Sequence, residues 1–225
     1  NKQLKLLSNL TYPFNRTFFI SQNNKFMTGL HSSSHTVDVV IPAYNAENFI
    51  TKTLESVAKQ SYPIQSVIVV NDGSTDNTQT CVLQLATSFP HLNIILHNQE
   101  NAGLSAARNA GIRRSGADYI ALLDADDLWQ PTFLESIFQL IQNFPEARIF
   151  GTNYEEVWES VIKKPHNGSE IFPIDFSGYI NFFKINIKQG IYNHGSVCFH
   201  KEVYEKVGFY NEKINFSEDL DFNIR

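Results

Sequence analysis

Several features that define whole classes of protein are missing from this sequence of 225 residues. It has two cysteines, Cys81 and Cys198, too few for a disulfide framework and without the spacing of a zinc site. Both lie in apolar runs and read as small buried core residues, which points to a reducing compartment. No stretch approaches the roughly 18 consecutive apolar residues of a membrane span. The start lacks the basic-then-apolar order of a secretion signal. The expected location is cytoplasmic, with attachment to the cytoplasmic face of a membrane open only through sequence not shown here. Basic clusters are absent too, and the formal net charge is −5. Nucleic-acid partners, which call for a basic patch or stripe, are not expected.

A fifth absence is local. The first predicted strand, Val37-Asp-Val-Val-Ile41, runs into Pro42-Ala-Tyr-Asn-Ala-Glu-Asn48, which contains no glycine. The Gly-x-Gly-x-x-Gly turn of dinucleotide-binding proteins is therefore missing, and a Rossmann dehydrogenase is not expected.

What is present is a globular balance, 42% hydrophobic and 18% charged, and a regular alternation from Thr36 onward. Ile50, Leu54, Val57 and Ala58 fall on one helical face. Ser66-Val-Ile-Val-Val70 reads as a strand, followed by a helix capped by Asp76 or Thr75 with Val82, Leu85, Ala86 and Phe89 inward. Asn93–Leu96 is a third strand, Ser105–Arg114 a helix and Tyr119–Leu123 a fourth strand. A helix lined by Phe133, Ile137, Leu140, Ile141 and Phe144 follows, and Arg148 begins a fifth strand. Strand–helix alternation of this kind predicts an α/β fold with a mostly parallel open sheet, its ligands outside the carboxyl ends of the strands.

Residues 1–35 lack periodicity and are read as an N-terminal extension of unknown role; residues 36–225 form the α/β domain. Beyond Asn153 the rhythm breaks into an aromatic, irregular stretch, read as an insertion or an acceptor-facing wall. Val197–His200 then reads as a strand, residues 202–206 as a short helix, and Ser217-Glu-Asp-Leu-Asp as the start of another. That last helix is short, so the protein is expected to continue past Arg225.

Two strand ends carry acids. Asp72, in Val70-Asn-Asp-Gly-Ser74, stands where a carboxylate can bond a ribose hydroxyl or base edge; an Asp-Gly turn needing no ligand is the alternative. Tyr44 is placed to stack on a flat base. At the fourth strand end, Asp124-Ala-Asp126-Asp127 crowds three carboxylates. A divalent cation would offset their repulsion, and Mg²⁺ or Mn²⁺ suits carboxylate plus phosphate oxygens. A solvated acidic turn is the other reading. An EF-hand loop fails because Trp129 occupies the position that must be glycine. A phosphatase with an Asp nucleophile competes weakly, since Leu128 stands where its motif has Thr or Val.

Five segments together, Val39-Val-Ile-Pro-Ala-Tyr-Asn45, Val70-Asn-Asp-Gly-Ser-Thr-Asp76, Asn101-Ala-Gly-Leu-Ser-Ala-Ala-Arg-Asn109, Leu123-Asp-Ala-Asp-Asp127 and Ser217-Glu-Asp219, resemble the family-2 glycosyltransferases of the GT-A fold, in that family's order. The resemblance spans about Val37 to Arg225. It implies inverting transfer of a sugar from a nucleotide-diphosphate sugar, a UDP-sugar first, to a hydroxyl of a glycan, lipid-linked or other acceptor in cell-surface polysaccharide synthesis. It implies that Asp72 holds base or ribose, with Pro42 and Tyr44 lining the base pocket. Asp126 corresponds to the metal-contacting acid and Asp124 to the acid near ribose or the metal's waters, with Asp127 a third contributor. Gly103 lets backbone approach the donor, and Arg108 pairs with an acid or a phosphate. Asp219 corresponds to the catalytic base, with Glu218 adjacent; His194 is a candidate donor or acceptor contact or a turn-stabilising residue. A non-catalytic nucleotide-sugar binding module remains the alternative outside enzymes.

Overall fold

The computed structural model describes residues 17–21, 35–152, 156–158, 161–163, 177–181, 194–214 and 217–224. The domain is built on a parallel core of strands β2 (Val37–Ala43), β3 (Ser66–Asp72), β4 (Ile94–Gln99) and β5 (Tyr119–Leu122), with β1 (Thr17–Ser21) preceding them in the chain. Between them run helices α1 (Ile50–Ala58), α2 (Thr78–Ser88) and α3 (Leu104–Ile112), and α4 (Phe133–Asn143) follows β5. Next come β6 (Ile149–Thr152), the β7 (Glu156–Trp158) and β8 (Val161–Lys163) hairpin, β9 (Ser177–Asn181) and β10 (Val197–His200). Helices α5 (Glu202–Val207) and α6 (Glu218–Ile224) close the described chain.

Among the described residues the main sheet has eight strands in the order β4-β3-β2-β5-β10-β6-β1-β9. The pairs from β4 to β5 are parallel, as the βαβ pattern requires. Strand β10 then runs antiparallel between β5 and β6. The sheet is thus mixed: parallel through the alternating half and again at β6–β1, antiparallel on both sides of β10 and at β1–β9.

Strands β2 and β3 are buried at every position because helices cover both sheet faces. Val39, Ile41, Val67 and Val69 face α1, α2 and α4, while Val40, Ile68 and Val70 face α3, α5 and α6. The helical faces expected from spacing are the ones that pack, with Ala58, Ala86, Phe89 and Phe144 at half-buried margins. Cys198 is fully buried, whereas Cys81 is only half-buried against the core; both are free thiols.

Helix α3 lies closest to the sheet. All its residues from Ser105 to Ile112 are buried, and Gly111 is the reason. A β-carbon there would run into Val40 Cγ1 and sit 3.3 Å from Val70 Cγ2, so only glycine lets the helix settle this deep. The β1 strand was not legible in the extension assigned to residues 1–35. It pairs parallel to β6 and antiparallel to β9, placing part of that segment inside the sheet. Most of the aromatic stretch after Asn153 lies outside the described residues.

Candidate active site

Parallel pairing puts the carboxyl ends of β2, β3 and β5 on one edge, so Asp72 and the segment 124–127 emerge on the same side with β2 between them. Pro42 fits its central strand because β2–β5 pairing ends at Val40↔Leu122, leaving its missing N–H beyond the ladder. It is buried, and Tyr44, just past the strand, is 55% exposed.

Asp72 is buried, and its carboxylate organises the glycine-bearing loop. Oδ1 accepts from Gln99 Nε2 at 2.7 Å and from the Ala102 N–H at 3.0 Å; Oδ2 accepts from the Gly103 N–H at 2.9 Å. Asn101 Nδ2 donates to the Asp72 carbonyl at 3.0 Å. The Asp-Gly step is a turn, with Gly73 at φ 71°, but the acid does more than turn the chain. It draws the loop before α3 onto the strand end. Gln99 was missed because the apolar run stops at Leu96, whereas the strand continues, pairing Asp72 with Gln99 and Asn71 with Asn98. Gly103 has φ 89° and open space where a side chain would stand.

Gly73 combines a left-handed backbone with close approach, since a β-carbon would lie 2.6 Å from the Asn101 backbone nitrogen. Gly73→Ala is expected to cost about 1–3 kcal/mol in urea denaturation and to loosen the Asp72 loop.

A second loop pair is laced together beside it. The Asn45 N–H donates to Ser74 Oγ at 3.0 Å, and Asn45 Oδ1 accepts from the Thr75 N–H at 2.9 Å. Glu47 Oε2 accepts from the Asn77 N–H at 2.9 Å, and the Glu47 N–H donates to Asp76 Oδ2 at 3.0 Å. Asp76 also accepts from the Thr78 N–H at 3.0 Å, but it stands one residue ahead of the N-cap, which is Asn77, and no side chain caps α2 as was expected of Asp76 or Thr75. Asn45 stands at φ 49°, a conformation asparagine tolerates. These contacts hold the base of the Tyr44 loop. Their partners lie about thirty residues apart, which leaves no local signal in the sequence.

The acids of the fourth strand end part company. Asp124 pairs with Arg108, Nη2 donating to Oδ1 at 2.9 Å and Oδ2 at 3.2 Å. Asp126 is exposed and takes no partner among the described residues. Asp127 lies against Gly195, where a β-carbon would come within 2.6 Å of its Oδ2. Trp129 Nε1 donates to the Gly195 carbonyl, fixing the 3₁₀ turn His194–Ser196 beside the acids. The side chain of His194 lies outside the described residues.

Arg108 also reaches across to α6. Nη1 donates to Glu218 Oε1 at 2.7 Å. Of the two partners expected for Arg108, acid or phosphate, the structure supplies acids, one at each side. Burial lowers the guanidinium pKa, but Asp124 first and then Tyr210 and Glu218 hold it above the usual arginine range. Tyr210 is buried beneath, and burial pushes its phenol well up, with Asp124 and Asp219 adding to the rise and Arg108 opposing it. Asp219 is half-buried, at the start of α6.

Helix α3 thus connects the parts. Its Gly103 end meets Asp72, and Arg108, about 7.5 Å further along the axis, meets Asp124 and Glu218. No three His, Cys, Asp or Glu side chains group tightly enough among the described residues to hold a metal by themselves. The uncommitted Asp126, with Asp127 next to it, suits a cation such as Mg²⁺ or Mn²⁺ that binds one or two carboxylates and takes its remaining ligands from phosphates and water.

The mostly parallel sheet flanked by helices has the GT-A fold, as two solved structures show. Residues 1–349 of S. aureus TarS in complex with UDP-GlcNAc superpose with a TM-score of 0.66 at 20% identity, over 84% of this chain and 52% of that one. The mannosyltransferase PcManGT from Pyrobaculum calidifontis, in complex with GDP-Man and Mn²⁺, gives 0.62 at 22% identity, over 81% and 49%. The sequence profile of glycosyl transferase family 2 matches residues 38–208, and the chain belongs to that family. The phosphatase reading falls with this assignment. Relatives include glycosyltransferase GlyA of Streptococcus pneumoniae, 36% identical over 55% of this chain and 17% of that protein. Another is WfgD of Escherichia coli, a UDP-Glc:α-D-GlcNAc-diphosphoundecaprenol β-1,3-glucosyltransferase, 34% identical over 54% of this chain and 46% of its own. The chain spans less than half the length of either relative. No described helix is long and apolar enough to cross a membrane.

Proposed function

We propose that this protein transfers a sugar from a UDP-linked donor to a hydroxyl of a growing cell-surface glycan, with inversion at the anomeric carbon. The observation that carries the proposal is the junction at Arg108, which brings the Asp124 strand end and the Glu218–Asp219 helix together on the edge where Asp72 holds its loop. The UDP-GlcNAc complex of TarS and the UDP-Glc specificity in WfgD's name support uridine; the diphosphoundecaprenol in that name supports a lipid-linked acceptor.

In this reading Asp72 and the loop it holds receive the nucleoside, with exposed Tyr44 available to stack on the base. Asp126, with Asp127, would hold a Mn²⁺ or Mg²⁺ ion, which supplies charge neutralisation for a diphosphate leaving group; the Mn²⁺ complex of PcManGT supports this choice. Asp219 takes the proton of the acceptor hydroxyl as that oxygen attacks the anomeric carbon from the face opposite the diphosphate. One displacement inverts the carbon without a covalent sugar–enzyme intermediate.

The test is a panel of labelled UDP-, GDP- and dTDP-sugars with mixed glycan and lipid-linked acceptors, run on the full-length protein with and without Mn²⁺. Thermal shift with the matching nucleoside diphosphates is read in parallel. The expected result is sugar transfer, with UDP giving the largest shift in the presence of the ion. Binding without transfer to any acceptor would favour a binding module instead.

A further inference from the structure

Arg108 has no step in the chemistry above, yet its side chain is 2% exposed and holds acids from two distant segments. It donates to both Asp124 oxygens, at 2.9 and 3.2 Å, and to Glu218 Oε1 at 2.7 Å. One cation therefore faces two carboxylates, with a third on the next residue, Asp219. Without it, Asp124 and Glu218 would repel one another across a poorly solvated gap. The Glu218 side chain is 14% exposed, so a charge left there unpaired is strongly destabilising.

A second grip acts on the same helix. Phe222, one turn beyond Glu218, stacks on Tyr210 with centroids 4.4 Å apart. The backbone of Tyr210 is clamped by Asn109, the neighbour of Arg108 in α3: Nδ2 donates to the Tyr210 carbonyl and Oδ1 accepts from its N–H, both at 2.9 Å. The Tyr210 ring lies 5.7 Å from the Arg108 guanidinium carbon. Helix α3 thus holds α6 by charge at its first residue and by aromatic packing one turn later. Successive helical residues point about 100° apart, so turning Glu218 toward Arg108 sets a different heading for Asp219.

We propose that Arg108 is a positioning residue. By pairing with Asp124 and Glu218 it ties α6 to the donor-side strand end and fixes the heading from which Asp219 meets the acceptor hydroxyl. Glu218 is the anchor in this arrangement and not the base.

The kinetic arm of the test rests on the transferase reading; a second arm does not. In the full-length protein, with the UDP-sugar that turns over in the panel, Glu218→Ala is expected to lower kcat about 100-fold with donor KM within about twofold. Glu218→Gln still accepts from Nη1, and is expected to recover kcat to within about fivefold of the parent and to keep the acid limb of the pH profile. Arg108→Lys, one point charge in place of a fork, should fall with Glu218→Ala. Loss of the acid limb in Glu218→Gln would make Glu218 the base and overturn the proposal, as would equal kcat in all three variants. Amide hydrogen exchange over residues 218–224 needs no turnover. It should quicken about tenfold in Glu218→Ala and stay near the parent rate in Glu218→Gln. Unchanged exchange in Glu218→Ala would overturn the anchor. Quickened exchange in a protein that turns over no donor would support the anchor and sink the transferase reading alone.

Discussion

Asp219→Asn is expected to lower kcat about a thousandfold, near the upper part of the range for loss of a general base, while Kd for UDP with Mn²⁺ changes less than about twofold. The asparagine keeps the size of the side chain and loses the capacity to take a proton. Its neighbour cannot substitute, because Glu218 Oε1 is engaged by Arg108 at 2.7 Å and the two side chains leave the helix in different directions. The aromatic packing of Phe222 and Tyr210 holds α6 without Asp219, so the variant should unfold at the parent temperature. Calorimetry of donor binding beside steady-state transfer checks both halves. Undiminished turnover would remove Asp219 as the base.

Asp126→Ala should fail at the opposite point. Asp126 is exposed and has no hydrogen-bond or ion-pair partner among the described residues, so stability should be conserved. Affinity for UDP in the presence of Mn²⁺ should fall about 100-fold, equivalent to about 2.7 kcal/mol, whereas the weaker affinity without the ion should not move. Asp124→Ala would be a poorer probe, because it also leaves Arg108 buried with half its partners. If the parent and Asp126→Ala bound UDP equally well with Mn²⁺ present, the cation would have to be placed elsewhere.

The parallel half of the sheet was legible because its strands are short apolar runs and its helices carry one apolar face each. Val39 and Val40 face opposite layers, as a strand buried on both sides requires. The acids at strand ends were legible as a consequence of that topology. Less visible was what each acid bonds. Asp72 turned out to organise a loop about thirty residues away, and Arg108 to hold a carboxylate 110 positions on. Such partners are chosen by packing in three dimensions and leave no periodic trace. Strand β4 was cut short at Leu96 for a related reason. His97, Asn98 and Gln99 are polar, yet they continue the ladder because β3 offers partners in register. The antiparallel β10 was recognised as a strand, but its direction depends on the route of the chain between β6 and β10, which apolar patterning does not encode.

Strand β1 bears on how the polypeptide can be shortened. It lies between β6 and β9 and supplies backbone partners to both. A version trimmed to begin at Thr36, where the alternating pattern starts, would strip β6 of its outer neighbour and bare a row of amide and carbonyl groups. A bared rim of that kind recruits strands from other molecules, so the trimmed protein would tend to clump even with the carboxyl edge of its parallel strands intact.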